Sequence, residues 1–586
     1  MLLQLDQGWF PHDEGALGQS AERVLAGDVP HRDFDELYTG ALSYLNALAF
    51  QLGGIRPVTL RVPLLLATLG WLVAVYRLAL RFVPVTGAVL VTAAALAWSV
   101  PNYPAAMPSW YNLFCATWGL LALARWYEDG RRRWLFLAGL AGGISFLFKL
   151  PGLFYLAGVG LALLWATAPP LADLKPRGLA LVQVGLAAVL VAAVAMLWRV
   201  AGAGGAREVV RFVMPVAVVS LAIAVREWRG GGMGAGERGR ALARLAWPVA
   251  LGALLPVAGF GLAFAAAGGL DELLRGVFVT PFRRVTVAAT RPAPLQALLG
   301  ALPVLWLLWP RRDIRLARWS VRLAPVVLLL GLVLYLSGQR FQSYRVGWWA
   351  GWSLLILVAV VGAWLVAARD RLDPRRPGDG LLVALVTVAA GAALVEFPFA
   401  APIYTLYALP VSLLAVAAIV RRVGLTPVPL QIIAIGFFLA FGLVRLLPGT
   451  VEGLGVAFAP SRETARLPGP RGGLRVPVEE AEVYGALIPL VAQVAAGGTV
   501  WAGPDAPEVY FLGGFRNQTR TLVDAFDTEP EPPGGLPARL RRLGITVVVI
   551  KDRSDFSPPL ADPVRDALAQ GWPQARELDG FTVRWR

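Results

Sequence analysis

Cysteine is almost missing from this chain, and histidine is nearly as scarce. The one thiol, Cys115, lies in an apolar block, so 586 residues hold no disulfide framework and no thiolate metal site. Both histidines, His12 and His31, fall within "PHDEGALGQSAERVLAGDVPHRDFDE", from Pro11 to Glu36. Charge is thin as well, at 16% of residues, where a soluble protein has about a quarter. The shortage is uneven, because seven acids crowd that same short stretch: Asp13, Glu14, Glu22, Asp28, Asp33, Asp35 and Glu36. No cleavable signal peptide is visible: "MLLQLDQGWF" is too short and too polar for an h-region or a spanning helix. No phosphate cradle is visible, since "GGGMGAGERGR" (230–240) follows no strand and contains no Gly-Lys-Ser. It is expected to be a flexible cytoplasmic loop.

What is present is apolar. Hydrophobic residues make up 57% of the chain and come in blocks, many near the roughly 20 residues that cross a bilayer as helix. Spans are expected at 58–76, 86–101, 109–125, 134–148, 151–168, 179–198, 212–225, 247–267, 294–309, 323–337, 347–368, 380–397, 403–420 and 427–447. The net charge of +16 comes almost wholly from arginine. Those arginines sit in short loops between the blocks, such as Arg77 and Arg81, Arg131–Arg133, or Arg311, Arg312 and Arg315. That is the bias of cytoplasmic loops, and it accounts for the charge without nucleic acid as a partner. The alternate loops, among them "PNYPAAMPSWYN", "SGQRFQSYR" and "EFPFAAPIY", then face outward, with the acidic opening stretch and the C-terminal end.

Composition changes after residue 447. "VPVEEAEVYGALIPLVAQVAA" reads as an amphipathic helix, and "GTVWAG" and "ITVVVIKD" as short buried strands. "PARLRRLG" reads as a helix closing at Gly544, and "FTVRWR" alternates like a terminal strand. Three parts are expected: 1–57, an extracytoplasmic loop with interfacial helices; 58–447, about 13–14 membrane helices; and 448–586, a small extracytoplasmic α/β domain entered through a Gly/Pro-rich linker at 448–473. An outer loop so near Met1 should follow a span. A first span lost by truncation, or lacking, is the expectation.

The opening stretch has chemistry of its own. Residues 14–26 suit a short amphipathic helix, with Asp13 as N-cap and Gly27 as terminator. Residues 37–53 suit a second helix lying in the interface. The acids thus gather at the starts of two helices at the membrane–water boundary. A carboxylate at a helix N-terminus stays ionised and is suited to act as a general base. Read blandly, Asp13 only caps a helix and the other acids are a solvated face.

The pattern "HDEG…AERVLAGDVPHRDFDELYTGALSYLNALAFQLGG", followed by "IRPVTLRVPLLLATLGW", resembles the first outer loop and next span of GT-C glycosyltransferases. The similar branch holds the protein O-mannosyltransferases and the lipid A aminoarabinose transferases. "PSWYNLF" (108–114), "RWLFLAGLAGGISFLFKLPG" (133–152) and "PEVYFLGGFRNQTR" (507–520) resemble segments of the same relatives. The resemblance is specific over about residues 10–160. It implies a polytopic α-helical membrane protein of GT-C type with a small C-terminal extracytoplasmic α/β domain, in the cytoplasmic membrane of a bacterium. It implies transfer of a hexosyl or pentosyl group from a polyprenyl-phosphate carrier to a lipid, glycan or protein acceptor at the outer face, with inversion. Asp13 matches the family's catalytic aspartate and Glu14 its acidic neighbour.

In that reading the departing phosphate needs cations. Outer-side candidates are Arg32, Lys149 in "FKLPG", Arg340 and Arg345 in "GQRFQSYR", and Arg283 with Arg284. Lys149 sits at a Pro/Gly break, where a lysine is costly unless it serves a partner or snorkels. No cofactor is expected. A divalent metal on His12, His31, Asp33 and Asp35 is the disfavoured variant, because the Trp-Trp-Asp of metal-dependent GT-C enzymes has only an acid-free counterpart in "GWWAGW" (347–352). The late outer loop "EFPFAAPIYTLYALP" (396–410) offers only Glu396 and tyrosines, and "NQT" (517–519) matches a glycosylation sequon by chance. Rival readings are a transporter or flippase of lipid-linked glycans and a non-catalytic relative. Neither sugar nor acceptor is named by the sequence.

Overall fold

The structure, a computed structural model, describes residues 5–167, 181–201, 205–229, 235–282, 292–301, 327–335, 341–368, 372–400, 402–423, 436, 439–440, 464–526 and 535–586. Its first helix, α1 (Pro11–Leu25), starts earlier than the cap pattern predicts. Phe10 holds the extended cap position, and Pro11 opens the helix with a preset φ and no N–H to satisfy. Asp13 therefore lies inside the first turn and is not the N-cap. Gly27, at φ +94°, follows the helix as expected. The second helix, α2 (Ala41–Gly53), is flanked by Gly40 and Gly54, both with positive φ.

The third, α3 (Pro57–Ala79), is the first candidate span among the described residues. At about 1.5 Å per residue its 23 residues reach about 35 Å, longer than a hydrocarbon core of about 30 Å. Apart from Arg61 and two threonines on its buried side, and Arg77 in its last turn, it is largely apolar. Leu60, Leu64, Trp71, Val75 and Leu78 face the bundle, while Val62, Leu66, Leu69 and Val73 are exposed along one stripe. Outward leucines at helical spacing suit lipid rather than water.

Further helices follow at Val85–Ala97, Pro108–Asp129, Arg132–Phe148, Gly152–Ala166, Leu181–Ala201, Met214–Arg229, Ala235–Ala266, Phe341–Ala367, Pro377–Ala392 and Pro402–Val423. Among the described residues, six helices are long and apolar enough to cross a membrane. Several expectations change. The 247–267 block is the second half of a longer helix, Ala235–Ala266. The part of "GGGMGAGERGR" from residue 235 is thus helix, and its Arg238 is buried, paired with Glu227 and donating to the Leu164 carbonyl. Leu295–Ala301 is a 3-10 helix, and the rest of the expected 294–309 span lies outside the described residues, as does most of 427–447. Helices Arg132–Phe148 and Ala235–Ala266 meet backbone to backbone. A Cβ added at Gly139 or Gly143 would collide with the carbonyls of Val249 and Ala253, the small-residue contact that membrane helices use.

The C-terminal unit is α/β. Strands β1 (Thr464–Arg466) and β2 (Arg475–Pro477) form an antiparallel pair, so part of the expected linker is structured. Strands β3 (Thr499–Gly503), β4 (Ile545–Lys551), β5 (Gln574–Leu578) and β6 (Phe581–Trp585) form a sheet in the order β3-β4-β6-β5. Only the β3–β4 pair is parallel. In β4, Val547 and Val549 pack towards helix Val478–Ala495, whereas Val548 and Ile550 pack with Leu540, Leu568 and Trp572 on the other face. Burial on both faces explains why the strand reads as an unbroken β-branched run.

This unit is seated on α1. Helix Pro507–Gly513 crosses α1 at its glycines: a Cβ on Gly15 would lie 2.5 Å from the Glu508 nitrogen, and one on Gly18 2.5 Å from the Phe511 ring. Gly15→Ala should therefore cost about 1–3 kcal/mol by overpacking. The expected outcome is a lower melting temperature in detergent and faster tryptic release of the C-terminal unit; unchanged melting would contradict this packing.

Candidate active site

A cavity of about 420 Å³ opens where several helices end. Its walls are mostly aromatic and aliphatic, including Phe10, Tyr38, Tyr103, Phe154, Phe397, Phe399, Tyr404 and Phe556. Among the described lining residues there is one carboxylate, Asp13, and one ammonium, Lys149, with His12 as the sole imidazole. A pocket that is apolar with a few convergent polar groups is the usual form of a ligand site.

Asp13 is aimed by α1. One helical position on, Glu14 is fully buried and binds Arg61 of α3, at 2.7 Å to Nε and 2.8 Å to Nη2. Arg61 spends its other donors on the carbonyls of Leu5, Gln7 and Gly8. This pins the first turn and turns Asp13 into the cavity. Glu14 does not line the cavity; both of its oxygens are engaged in holding the turn, and Oε2 also accepts from the Phe10 N–H at 3.0 Å. Tyr103 donates its hydroxyl to Asp13 Oδ2. Burial first, and then the Asp13 charge, push the Tyr103 phenol well above its ordinary range, so it stays a donor.

Lys149 follows the end of helix Arg132–Phe148 in an extended conformation. Asn112 pins this break by donating to the Ser145 carbonyl at 2.8 Å and to that of Lys149 at 3.3 Å. The Lys149 ammonium donates to Ser109 Oγ at 3.0 Å and lies 5.5 Å and 5.3 Å from the rings of Tyr38 and Tyr404. Such cation–π contacts hold a charge in apolar surroundings. Ser109 and Asn112 belong to "PSWYNLF", so that segment supports the lysine.

The other sequence candidates lie elsewhere. Arg32 points away from the cavity, to Asp33 at 2.7 Å and to the Ala267 carbonyl. His31 is buried against Gly276, with Nε2 3.3 Å from the Thr39 carbonyl, and burial pushes its pKa down, leaving the ring neutral. Asp35 faces Arg520 at 3.4 Å. His12, His31, Asp33 and Asp35 thus do not converge, and among the described residues no three potential ligands form a metal cluster. Arg345 lies on helix Phe341–Ala367, with its side chain outside the described set; Arg340, Arg283 and Arg284 fall outside the described residues. Asn517 of the apparent sequon is buried, donating to the Thr521 carbonyl.

The sequence reading gave no role to Tyr103 or Tyr38, named the tyrosines of 396–410 without assigning Tyr404, and expected the C-terminal unit only to admit or position an acceptor, not to line the cavity. Tyrosines in three outward loops were the available signal. The C-terminal unit clasps the opening stretch: Arg520 donates to the carbonyls of His31 and Arg32, Arg23 donates to that of Thr519, and Arg471 pairs with Glu22. It also brings Phe556 and Val523 to the cavity wall.

Helical bundle, α/β unit and cavity together define a multi-pass membrane protein with a candidate site lined in part by its C-terminal unit. No protein-family model and no curated protein matches the chain. Among solved structures, the ArnT protein of Cupriavidus metallidurans is similar in two states, bound to undecaprenyl phosphate and apo. Each aligns over 99% of this chain and 95% of the other, at 12% identity and a TM-score of 0.35. At that identity it is the residues of this cavity, and not the likeness, that carry the chemistry.

Beneath α1, Trp9 donates to Glu480, and burial raises the Glu480 carboxyl to about 7 from 4.5. Between those values the unfolded chain has given up this proton while the folded one keeps it, so stability falls as pH rises through the window. Melting temperature in detergent should drop from pH 5 to pH 7, and Glu480→Gln should flatten that drop. An unchanged slope would contradict the burial of an acid at this seam.

Proposed function

We propose that this protein is a GT-C glycosyltransferase that moves a sugar from a polyprenyl-phosphate carrier to an acceptor. The observation that carries this reading is the convergence of Asp13 and Lys149 on one aromatic cavity at the ends of membrane helices. A lipid-phosphate sugar has an apolar tail, an anionic link and a reactive C1. The cavity offers apolar walls, one cation and one carboxylate for those three parts.

In the proposed reaction the Asp13 carboxylate takes the proton of an acceptor hydroxyl or amine. The acceptor's lone pair forms the bond to C1, and the C1–O bond to phosphate breaks, its electron pair leaving on the phosphate. Lys149 neutralises the charge that develops there. Tyr103, held as a donor, orients the carboxylate. A single displacement inverts the sugar. The aromatic walls exclude water, which otherwise competes as acceptor. The loop resemblance supports an outward-facing site on the cytoplasmic membrane of a bacterium, with lipid, glycan and protein as acceptor classes.

The test is sugar transfer by the full chain in nanodiscs, using synthetic undecaprenyl-phosphate pentoses and hexoses with a membrane extract as acceptor. Asp13→Asn should lose about 10²–10⁴-fold in kcat, the usual worth of a general base. Lys149→Met should raise KM for the donor and lower kcat. Equal turnover by wild type and Asp13→Asn would remove Asp13 as the base, and loss of activity on adding a chelator would favour metal chemistry.

A further inference from the structure

His12 is placed between two carboxylates that come from opposite ends of the chain. Its Nε2 lies 3.6 Å from Asp13 Oδ2, and its Nδ1 lies 3.5 Å from Asp555 Oδ2. A small torsion or one water closes either gap to a hydrogen bond. The ring edge also meets Phe556, with centroids 5.5 Å apart and planes at 83°.

Asp555 is itself held in place. Buried Asp505 accepts the N–H groups of Phe556 at 2.7 Å and Ser557 at 2.6 Å, and also accepts the Ser557 hydroxyl. Lys551, at the end of β4, reaches Asp555 at 2.8 Å and Glu508 at 3.1 Å. A side chain whose neighbours are this well fixed is built for a position. The line Lys551–Asp555–His12–Asp13–Tyr103 runs from the C-terminal sheet to the cavity, and Asp555 is its exposed member at 36%. Of the charged and titratable groups described around His12, Asp13 and Asp555 touch it. Lys551 stands behind Asp555, Tyr103 behind Asp13, and Lys149 lies on the shared cavity.

We infer that His12, its Nδ1–H facing Asp555 of the C-terminal unit and its Nε2 facing Asp13, takes up the proton that Asp13 acquires and carries it out to water. This rests on the glycosyl-transfer reading above. After displacement Asp13 holds the acceptor's proton, among mostly apolar walls, and Asp555 is more exposed than Asp13. That proton passes from Asp13 to His12 Nε2, while the proton on Nδ1 passes to Asp555. Asp555 releases it to solvent, Asp13 is ionised again, and exchange with water resets the imidazole tautomer. One proton leaves for each acceptor bond formed, and no oxidant or reductant is needed. In this scheme the C-terminal unit is part of the active site.

Only two histidines occur in the chain, so [13Cε1]-histidine NMR of the full chain in nanodiscs resolves them, and His31→Gln assigns the pair. At one fixed pH the His12 resonance should shift in Asp555→Asn, which loses the hydrogen-bond acceptor 3.5 Å from Nδ1. A His12 resonance that stays in place in Asp555→Asn overturns the bridge, whether or not the enzyme turns over. With the undecaprenyl-phosphate sugars, Asp555→Asn and His12→Gln should each lower kcat about tenfold, leave KM for the donor unchanged and shift the pH–rate profile, a modest general-base effect. Asp555→Glu should restore part of the loss. The double variant should be no worse than either single one, because the two residues act as a unit. Additive losses, or a wild-type pH profile in Asp555→Asn, overturn the relay. A wild type that transfers no sugar from any donor overturns the glycosyl-transfer reading and the relay with it, while the NMR result still decides the bridge.

Discussion

The buried pair of Glu14 and Arg61 is the constraint on which the rest of the site depends. Two opposite charges taken out of water are stable only when every donor and acceptor is satisfied. Here the guanidinium places its hydrogen bonds on both Glu14 oxygens and on three backbone carbonyls, at 2.6–3.0 Å. That saturates the five N–H donors of an arginine. The pair ties the first turn of α1 to α3 and fixes the segment before it. With Glu14 turned inward, its neighbour Asp13 faces the cavity, because successive helix positions point about 100° apart.

A second constraint acts on the same helix. Gly15 lets the backbone of helix Pro507–Gly513 approach closely, and Gly18 makes room for the Phe511 ring. The C-terminal unit is thereby seated over the opening stretch, with Arg520, Arg23 and Arg471 closing the seam through carbonyls and carboxylates. The crowding of acids near the first residue has a physical use in this arrangement. Asp33, Asp35 and Glu22 are each engaged by an arginine, and Glu36 accepts from Ser43 and from the Tyr38 N–H. Most of the acids hold the loop together, which leaves Asp13 for the cavity.

Much of the fold was legible from composition and period. Apolar blocks marked the helices, and most of the expected boundaries that fall on described residues differ from the observed helices by a few residues. Pro57, Pro108 and Pro377 open helices where a ring without an N–H is tolerated. The β-branched run in "ITVVVIKD" marked a strand covered on both faces. The start of α1 was misplaced because Asp13 is a good cap residue, whereas Pro11 in the first helical position outweighed it. Residues 235–240 read as part of a loop, whereas they are helical and their Arg238 pairs with Glu227, a tertiary contact that composition does not show.

The sequence alone determined a membrane protein rich in helices, with an α/β unit at its end and a suspect acid pair near its start. These are local properties: hydrophobicity, spacing and cap chemistry are set by residues within one or two turns. Only the tertiary structure decided that the two acids of the pair do different things, that Lys149 and Asp13 share a cavity while Arg32 does not, and that Asp555 meets His12. Those outcomes depend on which way a side chain points and on contacts between residues hundreds of positions apart. No period or composition encodes them, because they arise only when the C-terminal unit packs onto the glycines of α1.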